Sequence, residues 1–398
     1  MNNVLRGAIA AAEAEGKKLR EEFFRPEGPR GRGGSAPIDT EMEERLRANL
    51  QALVPCAFGG EETGVAPAAA AGYEGWMWLV DPHDGTSDFL LGRRGSAVSI
   101  ALMRNGVPVL GVVHAPLAPD RGHDTIAWAE GAPLTRNGAP IDVDLSRRSL
   151  SAGDFVWTNA SSALRPQAYS TAVRPARFVA MPSIAYRLAR VAAGDGAAAM
   201  TSHGVNEYDI AAGAALIGAA RGVLLDAAGE PLVLKGEATR RVTGCFAGAP
   251  AAAAALARFD WKALDAEPRR DRRIEPRFPR REDEGRLARA AGCLLGQVIG
   301  DSLGAQVEFK GAAEIAREFP RGVRDLGDGG VFNTIAGQPT DDSEMALALG
   351  RSILEEGKYV SETALTAYRE WLQTRPVDIG MTTERGLLGL HTSESESN

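Results

Sequence analysis

Apolar residues recur at helical spacing through the first fifty positions. Residues 3 to 24 read as a helix ending before Pro26. Met42, Leu46, Leu50 and Leu53 line one face of a second helix, with Thr40 and Glu43 at capping-box spacing. Asp39 stands just before that expected start, where it reads as a capping aspartate. The Gly- and Pro-rich stretch 27 to 38 between them predicts a mobile loop. The pattern then shortens. Val54 to Phe58 is apolar, and Trp76 to Val80 reads as a short buried strand. Ala97 to Leu102 and Val107 to Val113 predict a hairpin closed at Asn105-Gly106. Thr125 to Trp128 and Ile141 to Val143 extend the strand-rich region, with a turn at Asn137-Gly138. An antiparallel sheet packed by helices follows.

From Val156 onward strands and helices alternate. Ile184, Leu188 and Val191 form a helical stripe, Ala197 to Met200 a strand, Ile210 to Ala220 an Ala-rich segment, and Val223 to Leu225 another strand. Residues 266 to 284 are charged and proline-bearing and read as a linker between domains. Beyond it Gly292, Gly296, Gly300 and Gly304 repeat every four residues, a spacing that predicts close approach of another helix. Met345, Leu349 and Ile353 then share one side of a further helix.

Length sharpens this division, since 398 residues exceed the usual single domain. A net charge of −7 sets the chain against a nucleic-acid surface. Cys56, Cys245 and Cys293 have no paired spacing, which disfavours both a disulfide framework and a zinc site. The first 24 residues are amphipathic and acidic, unlike a signal peptide, and no apolar run is long enough for a membrane span. The expectation is a reduced, cytoplasmic enzyme.

The chemistry concentrates where the Trp76–Val80 run ends in Asp81, Pro82, His83, Asp84, Gly85 and Thr86. As local sequence this is a tight turn. Two carboxylates fixed at a strand end also suit a hard divalent cation, and N–H groups opening a helix suit a phosphate. Upstream lies Phe58-Gly59-Gly60-Glu61-Glu62-Thr63-Gly64, and downstream Glu207-Tyr208-Asp209-Ile210-Ala211-Ala212-Gly213. In this order the three pieces resemble the GEE, DPxDGTxxF and WDxAAG elements of the inositol monophosphatase family, over roughly the first 250 residues. Tyr208 replaces the usual Trp, and His83 an aliphatic residue.

That resemblance implies a layered αβαβα sandwich and a Mg2+-dependent phosphomonoesterase. Glu61, Asp81, Asp84, Asp209 and the backbone carbonyl of His83 would be the metal ligands, with the His83 side chain structural. Gly85 and Thr86 would bind the phosphate, and Thr86 and Asp39 would orient the attacking water. Asp39 and Asp209 keep their alternative as capping residues. Apart from the resemblance, the loop 27–38 reads first as a plain linker, and otherwise as a lid from which Arg30 and Arg32 could swing toward a bound phosphate. The implied substrate is a small phosphorylated metabolite, an inositol phosphate, sugar phosphate or 3′-phosphonucleotide.

A second pair of motifs, GDSLGAQVEF from Gly300 and GQPTDDSEMAL from Gly337, resembles the ADP-ribosylglycohydrolase family over about residues 286–390. That all-helical family implies a binuclear Mg2+ site, here holding Thr340, Asp341 and Asp342, with Glu308 as an active-site acidic residue. A later Asp-x-Asp-Thr/Ser element is absent. The expectation is a phosphatase domain over 1–257, a linker over 258–284, an incomplete helical domain over 285–390 and a polar tail over 391–398. Glycohydrolase chemistry is the alternative function, expected to be inactive in this segment alone. Apolar helix faces left uncovered there would be an aggregation or dimerisation liability, a homodimer being one outcome.

Overall fold

The structure is a computed structural model that describes residues 1–266, 284–334, 336–374 and 376–389. It divides into two units, 1–272 and 273–398. Most of the expected linker and all of the polar tail lie outside the described residues.

The first unit opens with helices α1 (Asn2–Phe23) and α2 (Pro37–Leu53). Strands β1 (Ala57–Gly60), β2 (Val65–Ala66) and β3 (Trp76–Asp84) follow, then the short helix α3 (Thr86–Leu90). The meander β4 (Ala97–Arg104), β5 (Val107–Ala115), β6 (Asp124–Ala129), β7 (Thr135–Arg136) and β8 (Ala139–Pro140) completes an eight-stranded sheet, ordered β2-β1-β3-β4-β5-β6-β7-β8. The predicted hairpin is present, with Asn105 and Gly106 both at positive φ as its two-residue turn requires.

The second sheet interleaves strands and helices. In chain order they are β9 (Phe155–Thr158), α4 (Pro166–Ala172), β10 (Arg177–Ala180), α5 (Ile184–Ala192), β11 (Ala198–Asn206), α6 (Glu207–Ala219), β12 (Val223–Leu225) and β13 (Arg241–Gly248). Its strand order is β10-β9-β11-β13-β12, and α7 (Pro250–Ala257) and α8 (Trp261–Ala266) close the unit.

Side chains on β3 alternate between two cores, as a pleated strand must direct them. Trp78 and Val80 join Leu19, Leu46 and Leu50 under α1 and α2, whereas Leu79 joins Leu188, Ile210 and Phe246 toward α5, α6 and the second sheet. With both faces covered, β3 is a continuous apolar run rather than an alternating one. The layers are thus helix, sheet, helix, sheet, helix. α6 runs between the two sheets, which explains its alanines. A Cβ at Gly111 of β5 would stand 2.5 Å from the Ala212 carbonyl oxygen, and one at Gly213 would stand 2.4 Å from Leu188.

Two local expectations fail. α2 begins at Pro37, a residue suited to a helix's first position, so Asp39 lies inside the first turn and Glu43 is free of any capping-box role. Residues 141–143 form no strand, because Asn137-Gly138 closes only the two-residue pair β7–β8. In the stretch 27–38 the Arg30 guanidinium binds Glu22 at 2.8–3.1 Å.

The second unit is helical: α9 (Glu284–Gly304), α10 (Ala312–Glu318), α11 (Asp341–Glu356), α12 (Ser361–Gln373) and α13 (Met381–Gly389). The glycine stripe on α9 meets nothing, for no described atom lies within 4 Å of a Cβ built at Gly292, Gly296, Gly300 or Gly304. Leu287, Leu294, Leu295 and Ile299 on the same helix are exposed. No described helix of the chain is long and apolar enough to cross a membrane.

Candidate active site

Register brings the acidic residues together. β1 pairs in parallel with β3, Gly60 opposite Val80, so Glu61 and Asp81 leave neighbouring strand ends side by side. A Cβ at Gly60 would stand 2.2 Å from the Glu43 carboxyl carbon, which accounts for glycine there. The buried Glu43 carboxylate accepts the N–H groups of Glu62 (2.9 Å) and Thr63 (2.6 Å), pinning the loop that presents Glu61. On the other side of β3 the ladder to β4 is irregular between Asp81 and Asp84. That irregularity turns both carboxylates to one end of the sheet.

Asp84 sits at the start of α5, where its Oδ2 accepts the Ser183 hydroxyl (2.6 Å) and the Ala185 N–H (2.7 Å). Gly85, at φ 98°, reverses the chain into α3, a left-handed conformation that favours glycine. Asp209 lies in the first turn of α6 and accepts the Asn206 N–H at 2.6 Å, so its capping role is real. The charges of Asp84 and Glu61 act on it, and Asp81 feels Glu61, Asp84 and Asp209 in turn. Four carboxylates from three segments therefore meet.

Their electrostatics are those of crowded like charges. Burial first, then Glu61, Asp84 and Asp209, hold Asp81 well above the usual carboxylate range. Burial and Asp84 do the same to Asp209. Asp84 is raised by burial, against the lowering pull of Ser183, Ala185 and the Arg187 guanidinium. Glu61 is pushed up to about 7 by loss of hydration and its acidic neighbours, although its exposed side keeps water close enough to moderate that push. Arg187 is buried, its Nε donating to the Ser183 carbonyl at 3.1 Å.

Among the described residues no three His, Cys, Asp or Glu side chains converge tightly enough to hold a metal ion as they stand. The donor set still fits a hard divalent cation: several oxygens, no sulfur, and a mutual repulsion that a bound cation relieves.

Thr86 donates its hydroxyl to the His83 carbonyl (2.8 Å) and more weakly to Asp39 Oδ2 (3.3 Å). Asp39 thus joins Thr86 while also accepting the Ala36 N–H at 3.2 Å, a capping contact made from inside the first turn. The sequence-predicted residues Asp39, Glu61, Asp81, His83, Asp84, Gly85, Thr86 and Asp209 gather in one region, whereas the Arg30 guanidinium is paired with Glu22. Glu43, Ser96, Ser183 and Arg187 escaped sequence reasoning because their partners lie far along the chain. A groove of about 360 Å3 beside Asn105, Val107 and Leu234 lies at the opposite end of β4 from Asp84 and is separate from this region.

In the second unit Thr340 caps α11 and gives its hydroxyl to Asp301 at 2.6 Å. Glu308 is raised by burial and by Asp378, Asp341, Asp342 and Asp301. Asp378 and Asp301, not singled out from the sequence, complete this acidic group.

Residues 1–261 match the model of the inositol monophosphatase family. The chain belongs to that family, whose members are phosphatases. Residues 282–398 match the ADP-ribosylglycohydrolase model. The probable inositol 1-monophosphatase ImpA of Mycobacterium tuberculosis is 32% identical over 212 residues, 51% of this chain and 74% of that protein. The ADP-ribosyl-[dinitrogen reductase] glycohydrolase of Rhodospirillum rubrum is 44% identical over 100 residues, 25% of this chain. The chain spans only 33% of that relative's length. Among solved structures, the Thermotoga maritima IMPase superposes with TM-score 0.55 at 22% identity, covering 67% of this chain and 99% of that one. The inositol monophosphatase of Anabaena gives 0.51 at 24% identity, covering 67% and 97%. These likenesses establish the sandwich fold of the first unit.

Proposed function

We propose that this phosphatase is a Mg2+-dependent phosphomonoesterase acting on a small phosphorylated metabolite, of the inositol phosphate, sugar phosphate or 3′-phosphonucleotide class. The meeting of Glu61, Asp81, Asp84 and Asp209 from three segments carries this reading. Those carboxylates and the His83 carbonyl would hold the ions. Bound divalent cations supply neutralisation of the phosphoryl oxygens and acidification of a water. The chain's own groups do the rest. The Thr86 oxygen and the Asp39 carboxylate stand together where they would orient a water, and Gly85 and Thr86 offer N–H groups at the opening of α3. Burial of Cys56 and Cys245 pushes their thiols up to about 11 and about 12, which disfavours a cysteine nucleophile.

Substrate class is tested by phosphate release from inositol monophosphate, fructose 1,6-bisphosphate and 3′-phosphoadenosine 5′-phosphate. One class should exceed the others in kcat/KM by at least about tenfold, the scale set by a few contacts to the leaving group. No turnover of any of the three contradicts the proposed substrates.

A second reading is favoured by the grouping of Thr340, Asp341, Asp342, Glu308 and Asp378: a binuclear Mg2+ site of the ADP-ribosylglycohydrolase kind. We propose no ADP-ribose hydrolysis by this segment alone. A reduced, cytoplasmic setting and a homodimer through the apolar face of α9 complete the proposal; nucleic acid is not a partner in it.

A further inference from the structure

One residue between the two central aspartates is tied at every polar group it has. The His83 N–H donates to Asp81 Oδ1 at 2.8 Å, and its carbonyl accepts the Thr86 hydroxyl at 2.8 Å. Its Nδ1 lies 2.7 Å from Asp39 Oδ1, and its Nε2 lies 3.3 Å from the Ser96 hydroxyl oxygen. The ring is 1% exposed and stands edge-on to Phe89, with centroids 4.4 Å apart at 88°. Phe89 packs in turn on Phe23 of α1.

A carboxylate accepts, so Nδ1 is the donor in the bond to Asp39 Oδ1, and Nε2 pairs with the Ser96 hydroxyl. Asp39 Oδ1 is thereby occupied by His83, leaving Oδ2 for the Ala36 N–H and Thr86. Without the imidazole, rotation of the carboxylate about its Cβ–Cγ bond would be held only by the longer bonds of 3.2 and 3.3 Å.

We propose that the His83 side chain is a positioning residue. Its Nδ1–H holds the Asp39 carboxylate with Oδ2 toward Thr86 and so fixes the pair that orients the attacking water. This inference rests on the phosphomonoesterase reading above.

Two measurements on the full chain test it. In metal-free protein labelled with 15N-histidine, the nitrogen shifts of His83 are expected to show a proton on Nδ1, and that signature should change in Asp39→Asn. A ring protonated at Nε2 alone overturns the proposal whatever the activity. Kinetics then separate positioning from mere packing. His83→Leu is expected to lower kcat by about 10- to 100-fold, the scale of a displaced reacting group, with KM and the Mg2+ requirement little changed. His83→Asn places its amide N–H near the former Nδ1 and should recover most of the rate. His83→Gln reaches instead toward Ser96 and should not; it carries the test if the leucine variant does not fold. An active wild type with equal kcat in the Leu or Gln variant overturns the positioning role. An inactive wild type defeats the phosphomonoesterase reading instead, while the nitrogen shifts still judge the hydrogen bond.

Discussion

Asp84→Asn is expected to lower Mg2+-dependent phosphate release by at least about a thousandfold, since a lost metal ligand removes several kcal/mol of transition-state stabilisation. The fold should survive. The Asn carbonyl can still accept the Ser183 hydroxyl and the Ala185 N–H that hold Asp84 at the start of α5. Circular dichroism of the variant should therefore match the parent. Retained turnover would remove Asp84 from the site, whereas loss of both turnover and structure would reassign it to folding.

The second large effect is on the stability of the metal-free protein. Glu61, Asp81, Asp84 and Asp209 all have folded-state values raised above those of the unfolded chain. The folded state then binds more protons than the unfolded one, and stability falls as pH rises through that window. For Glu61 the window runs from the ordinary glutamate value to about 7. Below it the contribution vanishes, because both states are protonated.

Metal-free protein should accordingly lose thermal stability between about pH 5 and 7.5 from this source, in the sense required by linkage. Asp81→Asn should raise its Tm at pH 7.5, because the amide keeps the acceptor for the His83 N–H and removes a crowded charge. Mg2+ should reverse the order. At one hundred times its Kd it stabilises the parent by about 2.7 kcal/mol, a shift of several degrees, and the Asn variant much less. Scanning calorimetry with and without EDTA reads both signs; a metal-free Asn variant less stable than the parent would contradict the like-charge account.

The sequence made some of this legible for definable reasons. The β4–β5 hairpin was readable because Asn105-Gly106 supplies both positive-φ residues between apolar runs. β3 was readable as a buried strand because its run is continuous. The carboxylates were a different matter: spacing alone leaves Asp81 and Asp84 in a turn and Asp209 in a cap, and the family resemblance joined them. Asp209 caps α6 through the Asn206 N–H and at the same time lies within the influence of Asp84 and Glu61.

What stayed hidden depends on contacts remote in sequence. Nothing around Glu43 announces that it will hold Thr63, nor around Ser183 that it will bind Asp84. Asp39 was placed just before α2 because the Thr40–Glu43 spacing mimics a capping box, whereas Pro37 sets the true start. The glycine stripe of α9 predicted a neighbour that the described residues do not provide. Periodicity names a face but not the surface that covers it.

Carboxylates gathered at the ends of β1 and β3 and the start of α6 are proposed to serve a metal-dependent phosphatase. Phosphate release from inositol monophosphate, measured across a Mg2+ titration and then with EDTA added, is the decisive test. Turnover should rise with Mg2+, stop with EDTA and return when Mg2+ is restored. Turnover indifferent to EDTA would rule out a metal role for these carboxylates.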